Sequence, residues 1–113
     1  MGTLHLHNKS DDTLPQPKEL EKGRWETGYW YISEERAETM KGAVIHLHRQ
    51  KREPSFRAGI IYDFQRRFYS DPRDGKRKFR TVFLFEENPS LEAAVTGSDG
   101  WLQSGIKWLP DQS

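Results

Sequence analysis

Residues 56–85 read FRAGIIYDFQRRFYSDPRDGKRKFRTVFLF, and this stretch decides the fold. Aromatic and β-branched residues fill both of its ends, and such residues favour strands. Between them, residues 70–76 (SDPRDGK) have the composition of a turn, because Asp-Gly tolerates positive φ and proline fixes its own φ. The stretch therefore predicts a long antiparallel hairpin with strands over 56–69 and 79–85.

Alternation along these strands assigns their faces. Side chains two residues apart point to the same side of a strand, so the second strand places four residues on one face: Phe79, Thr81, Phe83 and Phe85. In the first strand, Gly59 predicts a bulge or a close approach of another backbone. The hairpin would gather five basic residues at its distal end: Arg66, Arg67, Lys76, Arg77 and Lys78.

Basic residues are concentrated in the same third of the chain. Residues 49–80 hold eleven basic and four acidic residues, a net charge of +7, whereas the remainder carries −6 and the whole chain +1. Arginine outnumbers lysine there by eight to three, which favours forked recognition of phosphate. Six aromatic residues are interleaved with these charges, so nucleic acid is the predicted partner class. The alternative is a solvated hairpin end whose charges protect strand edges.

Composition excludes several other classes. The chain has 113 residues, enough for one domain, and no cysteine, so disulfides, zinc–thiolate sites and thiol nucleophiles are absent. We find no apolar run long enough for a membrane span and no signal-peptide core, and we expect a cytoplasmic protein without membrane contact. No nucleophile elbow or phosphate-binding glycine loop occurs, so the sequence gives no reason to expect catalysis or a cofactor.

The remaining segments predict a mixed order of elements. Residues 1–24 are predicted to be an N-terminal strand or arm with a polar loop, and residues 25–113 a single domain. Within it we expect a ring-rich strand over 25–32 and a short helix over 34–41, capped by Ser33 and followed by Gly42. Strands are expected over 43–49 and 101–109, and a single helical turn or irregular structure over 90–95. The predicted class is α+β, with a mostly antiparallel curved sheet or partly open β-barrel and one or two short helices.

The histidines form two similar tetrapeptides, Leu4-His5-Leu6-His7 and Ile45-His46-Leu47-His48. If these two strands paired, four imidazoles could converge on a metal such as zinc or nickel. The simpler interpretation is that leucine and isoleucine face the core while histidine faces solvent. Because no carboxylate stands at a ligand-like spacing beside either pair, no metal site is predicted.

Tryptophan accounts for four residues, and about two of them are expected to fill a small core. Trp101 differs because it follows Ser98, Asp99 and Gly100 in a loop-like context. We therefore predict an exposed ring there.

Several of these segments together resemble the PUA-like superfamily, closest in layout to its ASCH and EVE branches. The resemblance covers about residues 25–109 and rests on residues 28–33 (GYWYIS), the helix ending at Lys41-Gly42, an apolar strand, the strand containing residues 58–61 (AGII), and a tryptophan-containing end. It implies a small barrel-shaped domain that binds RNA or DNA. Some EVE-type members of that superfamily recognise modified bases. The resemblance further implies a base-stacking pocket and phosphate contacts. The pocket would use Trp25, Trp30, Trp101 and Ser33, and the phosphate contacts Arg49, Arg57, Arg66 and Arg67.

The predicted function is therefore a nucleic-acid-binding module without catalysis. It would bind RNA or DNA through the arginine-rich hairpin, including Arg77 and Lys78, and hold an extruded or modified base in the aromatic pocket. The rival is a protein-interaction module, such as a small inhibitor or immunity-type protein, that docks an acidic partner on its basic face. A concave, ring-lined cavity would favour the first and a flat face the second.

Overall fold

A computed structural model describes residues 2–8, 16–70, 75–92, 95–96, 100–102 and 105–110. Within these residues one seven-stranded sheet carries a single short α-helix. The elements in chain order are β1 (Thr3–His7), β2 (Lys18–Glu21), β3 (Arg24–Glu26), α1 (Glu34–Thr39), β4 (Val44–His48), β5 (Arg57–Ser70), β6 (Arg77–Glu87), a 3₁₀ turn (Pro89–Leu91) and β7 (Ile106–Leu109).

The strands lie in the order β2-β3-β6-β5-β4-β1-β7, so β2 and β7 form the two edges and the sheet does not close on itself. Neighbouring strands are antiparallel except β1 and β4, which are parallel. The expected mostly antiparallel α+β fold is confirmed at this level.

The hairpin of β5 and β6 is confirmed and forms the longest ladder of the sheet. Its pairing runs from Gly59 opposite Glu87 to Ser70 opposite Arg77, with a register shift between Ile61 and Asp63. Gly59 makes the predicted close approach, because a Cβ atom there would collide with the carbonyl oxygen of Glu86. The predicted turn at residues 71–74 lies outside the described residues.

β1 is an interior strand of the sheet, although it lies near the start of the chain. It pairs with β4 on one side and β7 on the other, and Leu4 and Leu6 are fully buried. Residues 1–24 also supply edge strand β2, which pairs with β3.

The predicted helix is confirmed, and it covers the core. The Ser33 hydroxyl accepts a hydrogen bond from the Arg36 backbone N–H at 3.3 Å, which is the expected N-cap contact. Gly42 follows the helix with φ of 84°, a conformation that favours glycine. Ala37 and Met40 are fully buried, so this face of α1 packs on the sheet.

Two predicted strands are shorter than expected. After β3 ends at Glu26, the ring-rich segment runs beside β6 without a continuous ladder. The Thr27 backbone N–H donates to the Phe83 carbonyl oxygen at 2.9 Å, and an isolated bridge joins Trp30 to Thr81. The final strand begins at Ile106 rather than at residue 101. In both places aromatic residues raised the strand propensity of segments whose backbone does not form a continuous ladder.

The core lies on the face of the sheet that carries Leu4, Ile45 and Phe83. Phe83 and Phe85 are fully buried, as the alternation along β6 predicts, but Phe79 lies beyond the core and is 50% exposed. Among the described residues, no helix is long and apolar enough to cross a membrane.

Candidate functional site

The outer part of the β5–β6 hairpin carries the densest positive charge in the chain. Residues 66–70 and 75–80, called the distal hairpin from here on, contain six basic residues: Arg66, Arg67, Lys76, Arg77, Lys78 and Arg80. In the sequence between them, residues 71–74 add one basic and two acidic residues, so residues 66–80 have a net charge of +5. The outer end of the hairpin extends past β4, because β5 has 14 residues whereas β4 has only five and pairs with β5 only over residues 57–60. The hairpin therefore presents its charge away from the body of the protein.

Two phenylalanine rings occupy one face of the distal hairpin. Phe68 and Phe79 are directly opposite each other in the ladder, and their ring centroids are 4.0 Å apart with an interplanar angle of 28°. Their side chains remain 54% and 50% exposed. The Arg77 guanidinium carbon lies 4.7 Å from the Phe68 ring centroid. Charge and flat apolar surface are thus placed side by side.

Tyrosines and arginines share the opposite face. Arg67 and Arg80 are paired residues, one position from Phe68 and Phe79, so their side chains point the other way. Tyr31 is 74% exposed, and the Arg80 guanidinium carbon lies 4.9 Å from its ring centroid. Both faces of the hairpin therefore combine arginine with aromatic rings.

Two predicted phosphate contacts within the distal hairpin are engaged inside the protein. The Arg66 Nη1 atom donates to the Ile32 carbonyl oxygen and to Thr81 Oγ1, each at 2.7 Å. Arg67 forms an ion pair with Glu26 at 2.7 Å. Burial alone would lower the pKa of Arg67, but the hydrogen bonds and charges of Glu26 and then Tyr29 together outweigh burial, and the pKa is raised.

Arg49 and Arg57 lie outside the distal hairpin. Arg49 donates to Gln16 Oε1 at 2.8 Å and lies 4.1 Å from the Phe56 ring centroid. Arg57, at the other end of β5, pairs with Glu87 and lies 3.8 Å from the Trp25 ring centroid. The six predicted contact residues therefore do not form one surface, and Arg66, Arg67, Arg77 and Lys78 are the four that the hairpin brings together.

The four residues of the predicted base pocket are also separated. Trp30 is 8% exposed within the core, and Trp25 packs against that core beneath Arg57. Ser33 is exposed and acts as the helix cap. Trp101 lies beside the histidines of β1 and β4. A base could reach Trp30 only by opening the core.

The histidines lie where the sequence analysis did not expect them. Parallel pairing sets His5 opposite His46 and His7 opposite His48, so all four share one face of the sheet. The leucines face the core as predicted, but the expectation that histidine faces solvent is wrong for His5, His46 and His48, which are buried. Alternation identifies two faces of a strand, and here the second face is also covered.

Hydrogen bonds fix the tautomer of His48 and the donor role of His5 in this histidine cluster, which consists of His5, His46 and His48. The His48 Nδ1 atom lies 2.9 Å from the Glu53 carbonyl oxygen, which can only accept, so Nδ1 carries the proton. In neutral His48 the Nε2 atom is then an acceptor, and it receives a hydrogen bond from His5 Nδ1 at 2.8 Å. His46 Nδ1 contacts Ser55 Oγ at 3.2 Å.

Burial keeps these imidazoles neutral. It lowers the pKa of His5 from 6.5 to about 3, with further lowering by His46, His48 and Lys107. The pKa of His46 falls to about 4 because of burial and then the charge of His48. Burial also lowers the pKa of His48. In the part of the chain that the structure describes, no three or more histidine, aspartate or glutamate side chains are arranged to hold a metal ion.

Trp101 covers the histidine cluster and is less exposed than predicted. Its ring makes edge contacts with His5 and His48, at centroid distances of 6.2 and 5.7 Å. Its indole Nε1 atom is buried without a hydrogen-bond partner among the described residues. The Lys51 Nζ atom lies 5.9 Å from the ring centroid. Trp101 is thus a packed residue on a different part of the molecule from the distal hairpin.

Sequence reasoning did not single out the exposed rings Phe68 and Phe79 of the hairpin, the neighbouring Tyr31 that precedes α1, or Arg80. Strand length was the available signal, because the strand predicted over 56–69 is longer than any other predicted strand. Rings near the tip of such a hairpin have no core to enter.

No family model, curated protein or solved structure matches the chain.

Proposed function

We propose that the protein binds nucleic acid through the distal hairpin. The observation that carries this proposal is the interleaving of six basic residues with half-exposed aromatic rings, in a stretch, residues 66–80, whose net charge is +5. Such a surface offers charge to phosphates and flat faces to bases. We assign phosphate contact first to Arg77 and Arg80, since no ion pair within the described residues neutralises either guanidinium.

We assign Arg66 and Arg67 a supporting role at the base of the hairpin. Arg66 ties β5 to Ile32 and Thr81, and Arg67 is paired with Glu26, so both are partly used by the fold. Because the predicted pocket residues Trp25, Trp30, Ser33 and Trp101 lie apart, base contact is assigned to the hairpin rings instead.

The PUA-like assignment is a separate proposal about the fold. Its supports are the GYWYIS segment beside β6, the helix that ends before Gly42, and the close backbone approach at Gly59. The nucleic-acid proposal does not depend on it, because the distal hairpin carries the charge whatever the fold family.

Titration of labelled DNA and RNA oligonucleotides, followed by fluorescence anisotropy, tests the proposed function. Each neutralised phosphate releases counterions, so we expect affinity to fall about linearly on a log–log plot between roughly 50 and 200 mM salt. Replacing Arg77 and Arg80 together by Gln should weaken binding at least ten-fold and reduce the slope by about 1–2. Arg36→Gln, on the exposed surface of α1, is the matched control and should change neither quantity.

Competition with polyglutamate tests the alternative function, which is docking of an acidic protein partner. Polyglutamate supplies negative charge without phosphates or bases, so it should compete poorly with oligonucleotides. Undetectable binding of DNA and RNA at low salt, or equal affinity for polyglutamate, would contradict the proposal and favour docking of an acidic protein.

A further inference from the structure

The exposed rings of the distal hairpin indicate which form of nucleic acid it would accept. Phe68 and Phe79 lie on the same face of the ladder as Thr81 and Phe83, which are fully buried a few residues closer to the core. They leave the core because the hairpin continues past it, and half of each ring is open to water. The cross-strand contact between the two phenylalanines explains why they are paired, but it leaves the outer part of each ring open to a ligand.

Their surroundings match a chain of alternating phosphates and bases. Arg77 lies against Phe68, and Arg80 lies against Tyr31 on the opposite face. A guanidinium beside a ring provides one site for a phosphate and one for a base within a few ångströms. Residues 66–80 hold seven basic and two acidic residues, a net charge of +5, so this part of the chain has the sign that the ligand needs.

A duplex offers few base faces for stacking on such rings. Its base faces are stacked inside the helix, and it presents only phosphates, sugars and base edges to a protein. A two-stranded ribbon can enter the major groove, but the groove would place Phe68 and Phe79 against polar edges. An unpaired strand exposes its base faces, and every base can stack regardless of sequence.

We propose, on the basis of the function proposed above, that the distal hairpin prefers single-stranded nucleic acid. Bases stack on the exposed parts of Phe79 and Phe68, while Arg77 on the same face contacts an adjoining phosphate. Arg80, beside Tyr31 on the opposite face, contacts a phosphate farther along the strand. The recognition is tolerant of sequence, because stacking does not read hydrogen-bonding edges.

The test compares three oligonucleotides of equal phosphate number per strand: a mixed-sequence single strand, its duplex, and a single strand with abasic residues in place of bases. We expect the single strand to bind at least ten-fold more tightly than the duplex. The abasic strand should lose about five- to a hundred-fold, which is the range for one stacked base. This comparison leaves the protein unchanged and does not depend on the folding of a variant.

Protein variants test the rings themselves. Phe79→Leu and Phe68→Leu keep an apolar side chain but remove the flat face, and each should weaken single-strand binding about five-fold or more without changing the salt slope. Tyr62→Leu is the matched control, since Tyr62 is an exposed ring on β5 beside Arg24 and outside the distal hairpin. The abasic strand should bind the Phe79→Leu variant and the unmodified protein equally.

The two proposals fail in different ways. The single-strand preference would be overturned if the duplex bound equally well or more tightly, or if both phenylalanine variants kept their affinity. In that case, loss of binding in the Arg77 and Arg80 variant would still support the nucleic-acid interface. Absence of binding to all three oligonucleotides would overturn both.

Discussion

The distal hairpin and the histidine cluster have similar side-chain compositions but differ in exposure and charge. Each places nitrogen-containing side chains against aromatic rings, Arg77 against Phe68 in one and His48 against Trp101 in the other. The first remains exposed and charged, whereas the second is buried and neutral. The difference follows from the proton: an arginine cannot lose it, so it must remain hydrated or paired, while a histidine can be buried once it is neutral.

This contrast leads us to expect the proposed binding function and the stability of the fold in different parts of the molecule. The distal hairpin adds little to the core and offers charge to a partner. The histidine cluster lies between β1, β4 and the segment around Trp101, and its hydrogen bonds join residues far apart in the chain. Variants of the first should therefore change binding, and variants of the second should change stability.

Acidic pH should produce the largest effect, and only on stability. Because the pKa values of His5 and His46 are lowered from 6.5 to about 3 and about 4 in the folded protein, the unfolded chain binds protons that the folded protein excludes. The neutral histidines therefore make their full contribution to the free energy of unfolding above pH 6.5, and this contribution falls as the pH drops below that value. Between pH 7.5 and 5 we expect a loss of about 2 kcal/mol for each histidine that stays neutral.

Urea unfolding at several pH values measures this loss, with pH 5 as the lower limit so that most carboxylates stay ionised. His46→Gln should remove about one histidine's share of the pH dependence. A free energy of unfolding that is constant between pH 7.5 and 5 would show that these imidazoles protonate without unfolding the protein.

Trp101→Ala should have the next largest effect. The ring covers the histidine cluster and is partly buried, so its removal should lower the free energy of unfolding by about 2–3 kcal/mol, below the range for a fully buried tryptophan. It should also admit water to the imidazoles and weaken the pH dependence. Trp101→Phe, which keeps an aromatic edge, is the control.

Oligonucleotide affinity of the same variant separates the two regions. We expect it to be unchanged at pH 7.5, where the protein stays folded, because Trp101 lies outside the distal hairpin. A folded Trp101→Ala protein that loses binding would place the base contact at the histidine cluster instead.

Replacing either of two arginines on the hairpin should change the free energy of unfolding by less. Arg66→Met removes hydrogen bonds to Ile32 and Thr81 and should cost about 1–2 kcal/mol of stability. Arg77→Met, at an exposed position, should cost less than about 0.5 kcal/mol. Thermal or urea unfolding measures both, and equal losses would show that the two arginines do not differ in their structural role.

The sequence predicted the features that depend on near neighbours. The β5–β6 hairpin follows from the turn around Gly75 and from the alternation that ends in Phe83 and Phe85, and α1 follows from Ser33 and Gly42. All of these signals lie within a few residues of the structure that they specify.

The buried histidines could not be predicted in the same way. Their burial requires β1 to pair in parallel with β4, some forty residues away, and Trp101 to cover the resulting face. Two Leu-His repeats are equally compatible with a solvent-exposed second face. The four pocket residues failed to converge for a related reason, since aromatic residues in small domains fill the core as readily as they line a site.

Phe79→Leu should have only a small effect on stability, and this makes it the sharpest test of the comparison. Phe79 and Phe83 lie on the same face of β6, yet one is half exposed and the other fully buried. Replacing Phe79 removes its stacking on Phe68, worth about 0.5–1.5 kcal/mol, and leucine recovers part of the contact, so we expect a loss of at most about 1 kcal/mol. Urea unfolding measures it, with Tyr62→Leu as the exposed control. If the variant unfolds readily, the phenylalanine pair holds the hairpin together, and its exposure reflects structure. If it stays as stable as expected and loses single-strand affinity, the rings serve a ligand, because a change that the fold barely registers has removed what the ligand contacts.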